Sequence, residues 1–329
     1  MSHADYRLPA EWERQTATLL AWPNAQTDWA SNLDGIQDEY LALIEAISKR
    51  QTVMILVPQN DSEAIRKIGE GRGRHLVPMP YNDTWCRDYG PITLVRTGQR
   101  LAMDFHFNGW GGKYPAQLDN RVNTLLSRHP LFERFSFRPS LFELEGGAID
   151  TDGRGRLLVN WHCLRARHPY LSRAEISHEL CLLLNVEQVL GIDMEPMIGD
   201  DTDGHIDTLA RFISSDTLVY QIQSDPAVTA GLVRQLEGLR GPGGRPYRLV
   251  GLPLPEAIDR TLPANYVNFL FVNGACLVPA YDSPTDAGVA ALLQELLPDR
   301  TVESIRSRAL IGQFGGIHCA TMHLPGELA

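Results

Sequence analysis

Four times along this chain a hairpin of two short strands leads into a helix and a third strand, at a spacing of roughly 55–65 residues. The first copy reads as strands over 92–96 and 101–108, a helix over 117–127 and a strand over 135–138. The second reads as 148–151, 156–160, 172–184 and 187–192, and the third as 208–213, 217–222, 227–239 and 247–252. The fourth reads as 266–272, 275–280, 286–297 and 301–305, its hairpin turned at Asn273-Gly274. A fifth copy is split between the chain ends, where 316–324 would join 18–22, a helix over 33–48 and a strand over 53–57. That helix is the plainest, with Leu33, Ile36, Tyr40, Leu43, Ile44 and Ile47 on one face. The pattern predicts one catalytic α/β domain over 1–329, five ββαβ modules set around a pseudo-symmetry axis. The termini would close the ring, and closure would protect the sheet edges. Two unrelated domains would need a linker. The glycine- and proline-rich stretch 239–246 falls inside the third module instead, where a surface loop is expected.

Hydrophobic residues make up 43 % of the 329, enough to build a sizeable core. The formal charge of −10 argues against a nucleic-acid surface and favours cationic ligands. No run of 18 apolar residues suggests a membrane span, and the N-terminus lacks the basic and apolar regions of a signal peptide. Five scattered cysteines (Cys86, Cys163, Cys181, Cys276, Cys319) suit a reducing cytoplasm rather than a disulfide framework. No C-x-x-C pair offers a structural zinc site. His178-Glu179 begins like a zinc-protease motif but meets Leu182 where the second histidine must stand. A cytoplasmic protein with no metal, no cofactor, no nucleic-acid or membrane partner, and a small cationic substrate is expected. Symmetric oligomers being common, a homodimer is the expected assembly.

Glycine-flanked polar motifs fall at matching places in these modules. Asn82-Asp83-Thr84-Trp85-Cys86-Arg87-Asp88 precedes the first hairpin, and Leu144-Glu145-Gly146-Gly147 precedes the second. Gly199-Asp200-Asp201-Thr202-Asp203-Gly204-His205-Ile206-Asp207 precedes the third, and Gly315-Gly316-Ile317-His318-Cys319 enters the split module. Around an axis these side chains would converge. A thiol, a histidine and three carboxylates are what attack on a guanidinium carbon requires. The guanidinium is planar and cationic, with N–H donors in a fork that two carboxylates can grip. Its carbon is a poor electrophile, and cysteine ionises nearest neutrality among the candidate nucleophiles. Cys319 is the candidate nucleophile and His205 the general acid/base, with Glu145 holding the imidazole. Asp88 and Asp207 would grip the guanidinium, Trp85 and Trp110 would wall the pocket, and Asp201 is a further substrate contact. Taken singly, each of these residues has an ordinary structural role: a strand cysteine is a small buried hydrophobe, and Asp203-Gly204 a turn. Asp200, Asp201, His205 and Asp207 could instead hold a metal, which would leave Cys319 and Glu145 unexplained.

With Leu8-Pro9-Ala10-Glu11-Trp12-Glu13 and Phe107-Asn108-Gly109-Trp110-Gly111-Gly112-Lys113 added, the chain resembles the agmatine deiminase, or bacterial-type peptidylarginine deiminase, family of guanidine-modifying enzymes. The resemblance implies a five-bladed α/β propeller (the pentein fold). It also implies hydrolysis through a covalent thiouronium on Cys319, without metal or organic cofactor, and the same roles for His205, Glu145, Asp88, Asp207 and Trp85. Agmatine would give N-carbamoylputrescine and ammonia, a step in putrescine and polyamine biosynthesis. Deimination of free or C-terminal peptidyl arginine is the alternative, and a non-catalytic propeller serving as a binding module the third reading. The chain departs from the family at Asn160-Trp161-His162-Cys163-Leu164 and Arg167-His168-Pro169, a segment expected to cover the pocket, and carries Asp203 where asparagine is common. Arg165 or Arg167 reaching into the pocket would favour a substrate carboxylate; an acidic or neutral pocket end would favour agmatine.

Overall fold

All four hairpins form, and a helix carries the chain from each to a parallel third strand. The computed structural model describes residues 5–69, 71–256 and 258–326. Ile92–Arg96 pairs antiparallel with Gln99–His106, and Phe135–Glu143 adds in parallel after helix Asp119–Leu126. Ile149–Thr151, Arg156–Asn160 and Gln188–Ile192 repeat this around helix Arg173–Leu184. The third and fourth sheets use Ala210–Ser214, Thr217–Gln221 and Arg248–Leu252, then Leu270–Val272, Ala275–Ala280 and Thr301–Arg306. In the fifth, Thr321–Pro325 runs antiparallel to Gln15–Ala21, which pairs in parallel with Thr52–Val57. The two ends of the chain thus complete one sheet.

Burial falls from the first strand to the third. Leu270–Val272 and Ile149–Thr151 are buried throughout, whereas Phe135–Glu143 and Thr301–Arg306 are mostly half-buried or exposed. The first strands are therefore central and the parallel strands peripheral. The sheets are five separate open ones, so edges are not removed by hydrogen-bonded closure, contrary to the expectation from the repeat. Pro139, Arg248 and Glu303 stand on those outer strands, where proline and charge discourage pairing with another chain. The fifth sheet also carries a fourth strand, Arg74–Pro78, reached through helix Ser62–Ile68, whose first turn is capped by Asp61 accepting from the Ala64 amide.

Helix Leu33–Ser48 lays Ile36, Tyr40, Leu43, Ile44 and Ile47 into the largest apolar cluster. Leu43 is fully buried, so Leu43→Ala should cost about 2–5 kcal/mol in denaturant unfolding. A loss under about 0.5 kcal/mol, the scale of a surface change, would contradict that packing. Among the described residues no helix is long and apolar enough to cross a membrane. The five cysteines are free thiols.

Candidate active site

One short turn precedes the first strand of each sheet, and the polar side chains cluster in these five turns. Asp88 sits in the helical turn Cys86–Tyr89, and Glu145 opens the turn Gly146–Ala148. His205 opens Ile206–Thr208, which carries Asp207. Cys319 lies just before Thr321–Pro325. The fourth sheet contributes Asn268, which the sequence reading did not single out; asking what occupies the matching position in that module would have found it. Its Nδ2 donates to Cys319 Sγ at 3.2 Å, and its Oδ1 accepts from the His318 amide at 3.0 Å.

Glycine lets these turns meet. A Cβ on Gly147 would stand 2.5 Å from His205 Nδ1, 2.9 Å from Asp88 Oδ1 and 3.2 Å from Asp207 Oδ2. Three groups from three modules therefore crowd one backbone atom. Asp88 accepts from the Gly147 amide and from Trp110 Nε1, both at 2.9 Å. Trp110 itself sits at φ +54 between left-handed glycines at 109, 111 and 112, a strained placement that brings its indole over Asp88. Asp207 Oδ2 lies 3.7 Å from Cys319 Sγ. Asp207 Oδ1, Glu145 Oε2 and both ring nitrogens of His205 are buried without a hydrogen-bond partner. Buried polar atoms are seldom left so, and a ligand rich in N–H donors would satisfy the carboxylates.

Burial raises the Cys319 thiol well above its usual range, and Asp207 and Asp88 add to the rise. Burial alone would lower His205, but Asp88 foremost, with Cys163 and Glu145, raises it well above the ordinary histidine range. At neutral pH the empty site therefore holds a thiol and an imidazolium. A cation placed between Asp88 and Asp207 would offset the charge that keeps the sulfur protonated.

The pocket above Cys319 is walled by Trp29, Trp85, Trp110, Tyr114 and Phe314. Its carboxylates are Asp28, Asp83, Asp88, Asp200 and Asp201, and among the described residues no lysine or arginine lines it. It is narrow, about 40 Å³. Asp83 is pushed up to about 6, by burial first and then by Asp28, Asp201 and Asp88. Asp201 stands towards the mouth, where it accepts from Tyr114 Oη at 2.8 Å.

Three expectations are corrected. Glu145 does not hydrogen-bond His205: its Oε1 takes Arg167 Nε at 2.5 Å, although the carboxylate lies within 4.8 Å of the ring. Arg167 does not enter the pocket. Its remaining N–H groups go to Asp203 Oδ2 at 2.6 Å and the Thr202 carbonyl at 2.9 Å, which gives the aspartate at 203 its purpose. The segment 160–169 does not cover the pocket either; none of it lines the walls, and helix Trp161–Arg167 backs His205 and Glu145 instead. The four residues considered for a metal do not gather, because Asp200 spends both oxygens on the amides of Thr202 and Gly204 and Asp207 is bonded to His318. Among the described residues, Glu145, Cys163 and His205 could share an ion, with Arg167 on Glu145 opposing a cation there.

A family model described as Porphyromonas-type peptidyl-arginine deiminase matches residues 7–325. A Vibrio parahaemolyticus protein provisionally named agmatine deiminase is 31 % identical, the match covering 97 % of each chain. The structure of the agmatine deiminase of C. jejuni, a cysteine-to-serine form with substrate bound, superposes with a TM-score of 0.91 at 30 % identity, over 98 % of this chain and 97 % of that one. A Porphyromonas gingivalis protein provisionally named arginine deiminase gives a TM-score of 0.89 at 40 % identity, over 97 % and 98 %.

Proposed function

The chain belongs to the Porphyromonas-type peptidyl-arginine deiminase family, and on that premise we propose that it hydrolyses the guanidinium group of agmatine to N-carbamoylputrescine and ammonia. One observation carries the choice of substrate: the pocket leading to Cys319 has five carboxylates and no lysine or arginine among the described residues. Agmatine is cationic at both ends. Arginine would bring its own carboxylate against Asp28, Asp83 and Asp201, at a cost that like charges in a partly buried pocket impose.

In this reading residues 1–329 form a single catalytic domain, its five sheets the blades of a ring. Asp88 and Asp207 grip the guanidinium nitrogens between Trp85 and Trp110. The incoming cation offsets the two carboxylates, so the Cys319 proton leaves and the thiolate attacks the guanidinium carbon. His205 gives its proton to the departing nitrogen, the C–N bond breaks, and ammonia leaves a thiouronium on Cys319. His205 then takes a proton from water, which adds to the same carbon, and the C–S bond breaks to release the urea product. Arg167 holds Glu145, whose charge helps keep His205 an imidazolium.

The second reading, deimination of free or C-terminal arginine, is favoured by the name of the Porphyromonas gingivalis protein. Ammonia release from agmatine, arginine and a C-terminal-arginine peptide separates the two. Agmatine should lead by at least ~10²-fold in kcat/KM, on the scale of a missing or repelled polar partner; parity or a lead for arginine would overturn the agmatine assignment. A pH dependence follows from Asp83. Its carboxyl is protonated below about 6, so KM for agmatine should rise as pH falls through that value, and Asp83→Asn should flatten the rise. An unchanged KM from pH 7 to about 5, across the titration of that carboxyl, would remove Asp83 from substrate binding.

A further inference from the structure

Behind the nucleophile lies a buried ionic chain. His318 Nδ1 is 2.7 Å from Asp207 Oδ2, and His318 Nε2 is 2.7 Å from Glu11 Oε2. The three side chains are 0 to 5 % exposed. Glu11 comes from the N-terminal segment and is held from several modules. Its Oε1 accepts from the Phe271 amide at 2.8 Å, Arg87 Nη2 lies 3.1 Å from Oε2, and Arg211 Nη2 lies 3.3 Å from Oε1. Arg211 also faces Asp150 at 3.3 Å. His323 accepts from Arg87 Nη1 at 3.0 Å through Nδ1.

Burial alone would raise both carboxylates, but both end below their ordinary range. His318, Arg211 and Arg87 lower Glu11; His318, His205 and Arg211 lower Asp207. Two ionised acceptors then face one ring. A neutral imidazole offers a single N–H, so bonds to both require the imidazolium. Three anions (Glu11, Asp207, Asp150) are then matched by three cations (His318, Arg87, Arg211), which is what so buried a group needs. Of Asp207's oxygens, Oδ2 is spent on His318, and Oδ1 is left buried and without a partner beside Cys319.

We infer that His318, anchored by Glu11, is a positioning residue for the reaction: as an imidazolium it fixes Asp207 by one oxygen and keeps it ionised, so that the other oxygen meets the substrate guanidinium. The inference rests on the reading that Asp207 grips that group. The groups facing Asp207 are His318 and Cys319 on its own side, His205 and Asp88 from neighbouring turns, and Arg211 from the third sheet.

The test is the pH profile of kcat/KM for agmatine in wild type and His318→Gln. Glutamine can still donate to Asp207 but brings no charge. Asp207 would then hold a proton at neutral pH, where the wild type holds none. The acid limb should move to higher pH by about one unit or more, with KM at neutral pH up at least tenfold per unit and activity recovering as pH rises. A profile lowered uniformly, with the limb unmoved, would mean a merely structural histidine and overturn the inference. If the variant does not fold, nitrogen-15 spectra of folded Cys319→Ala decide. Two protonated ring nitrogens on His318 at neutral pH uphold the clamp, and one bare nitrogen refutes it. A wild type inert towards every guanidine would sink the functional reading instead, leaving the nitrogen spectrum to judge the clamp by itself.

Discussion

Cys319→Ala is expected to lower turnover of agmatine by at least ~10⁴-fold while its dissociation constant stays within about fivefold of the wild type. The thiol supplies the only bond the mechanism forms between protein and substrate. The grip belongs to other groups: Asp88 is fixed by the Gly147 amide and Trp110, and Asp207 by His318. Because burial and two carboxylates keep the resting sulfur protonated, its loss removes no charge from the empty pocket. Ammonia release measures the first quantity and calorimetry the second. Residual turnover within ~10²-fold of wild type would be too much for an enzyme without its nucleophile. A lost affinity would mean the sulfur is part of the binding surface.

The next largest effect is expected at a residue with no side chain. Gly147→Ala would place a methyl 2.5 Å from His205 Nδ1 and 2.9 Å from Asp88 Oδ1. Neither neighbour is the loose end of an exposed side chain, since both are buried. Displacing them by something near an ångström should cost ~10²-fold or more in kcat/KM, whereas overpacking should cost only about 1–3 kcal/mol of stability. The pair of measurements separates the two: a folded protein with a slightly lowered Tm and a large loss of rate is the expected result. Near-normal turnover would mean that the three modules do not converge on this atom.

The repeat was legible because each module carries its own local signals. Alternating apolar strands, a turn such as Asn273-Gly274 and an amphipathic helix need no distant partner to be recognised. The split module was legible for the same reason, and Thr321–Pro325 does pair with Gln15–Ala21. What escaped is non-local or weakly patterned. Arg74–Pro78 is a half-exposed edge strand with Arg74 and His75 at its start, so it shows no apolar run. The strand expected over 266–272 shrinks to Leu270–Val272, because Asn265 and Asn268 bond to nearby backbone and bend the chain ahead of it.

The site divides along the same line. Cys319, His205, Glu145, Asp88 and Asp207 stand in glycine-rich motifs at equivalent module positions, and the structure gathers them there. Asn268 has no glycine beside it, and its sequence neighbours Val267 and Phe269 read as core. Glu11 and His318 are more than 300 residues apart, so their 2.7 Å contact has no sequence signature. Arg167 was a candidate for the substrate's far end because a guanidinium near the pocket suits a carboxylate. Only the fold reveals that Glu145 and Asp203 already occupy it.

The central claim is that this protein breaks a guanidinium through a covalent bond to Cys319. The most direct measurement is an acid quench of wild type turning over agmatine, followed by peptide mapping by mass. The account predicts an adduct of agmatine less ammonia on the peptide carrying Cys319, absent from Cys319→Ala. Full turnover with no adduct at any quench time, or an adduct on another residue, would contradict it.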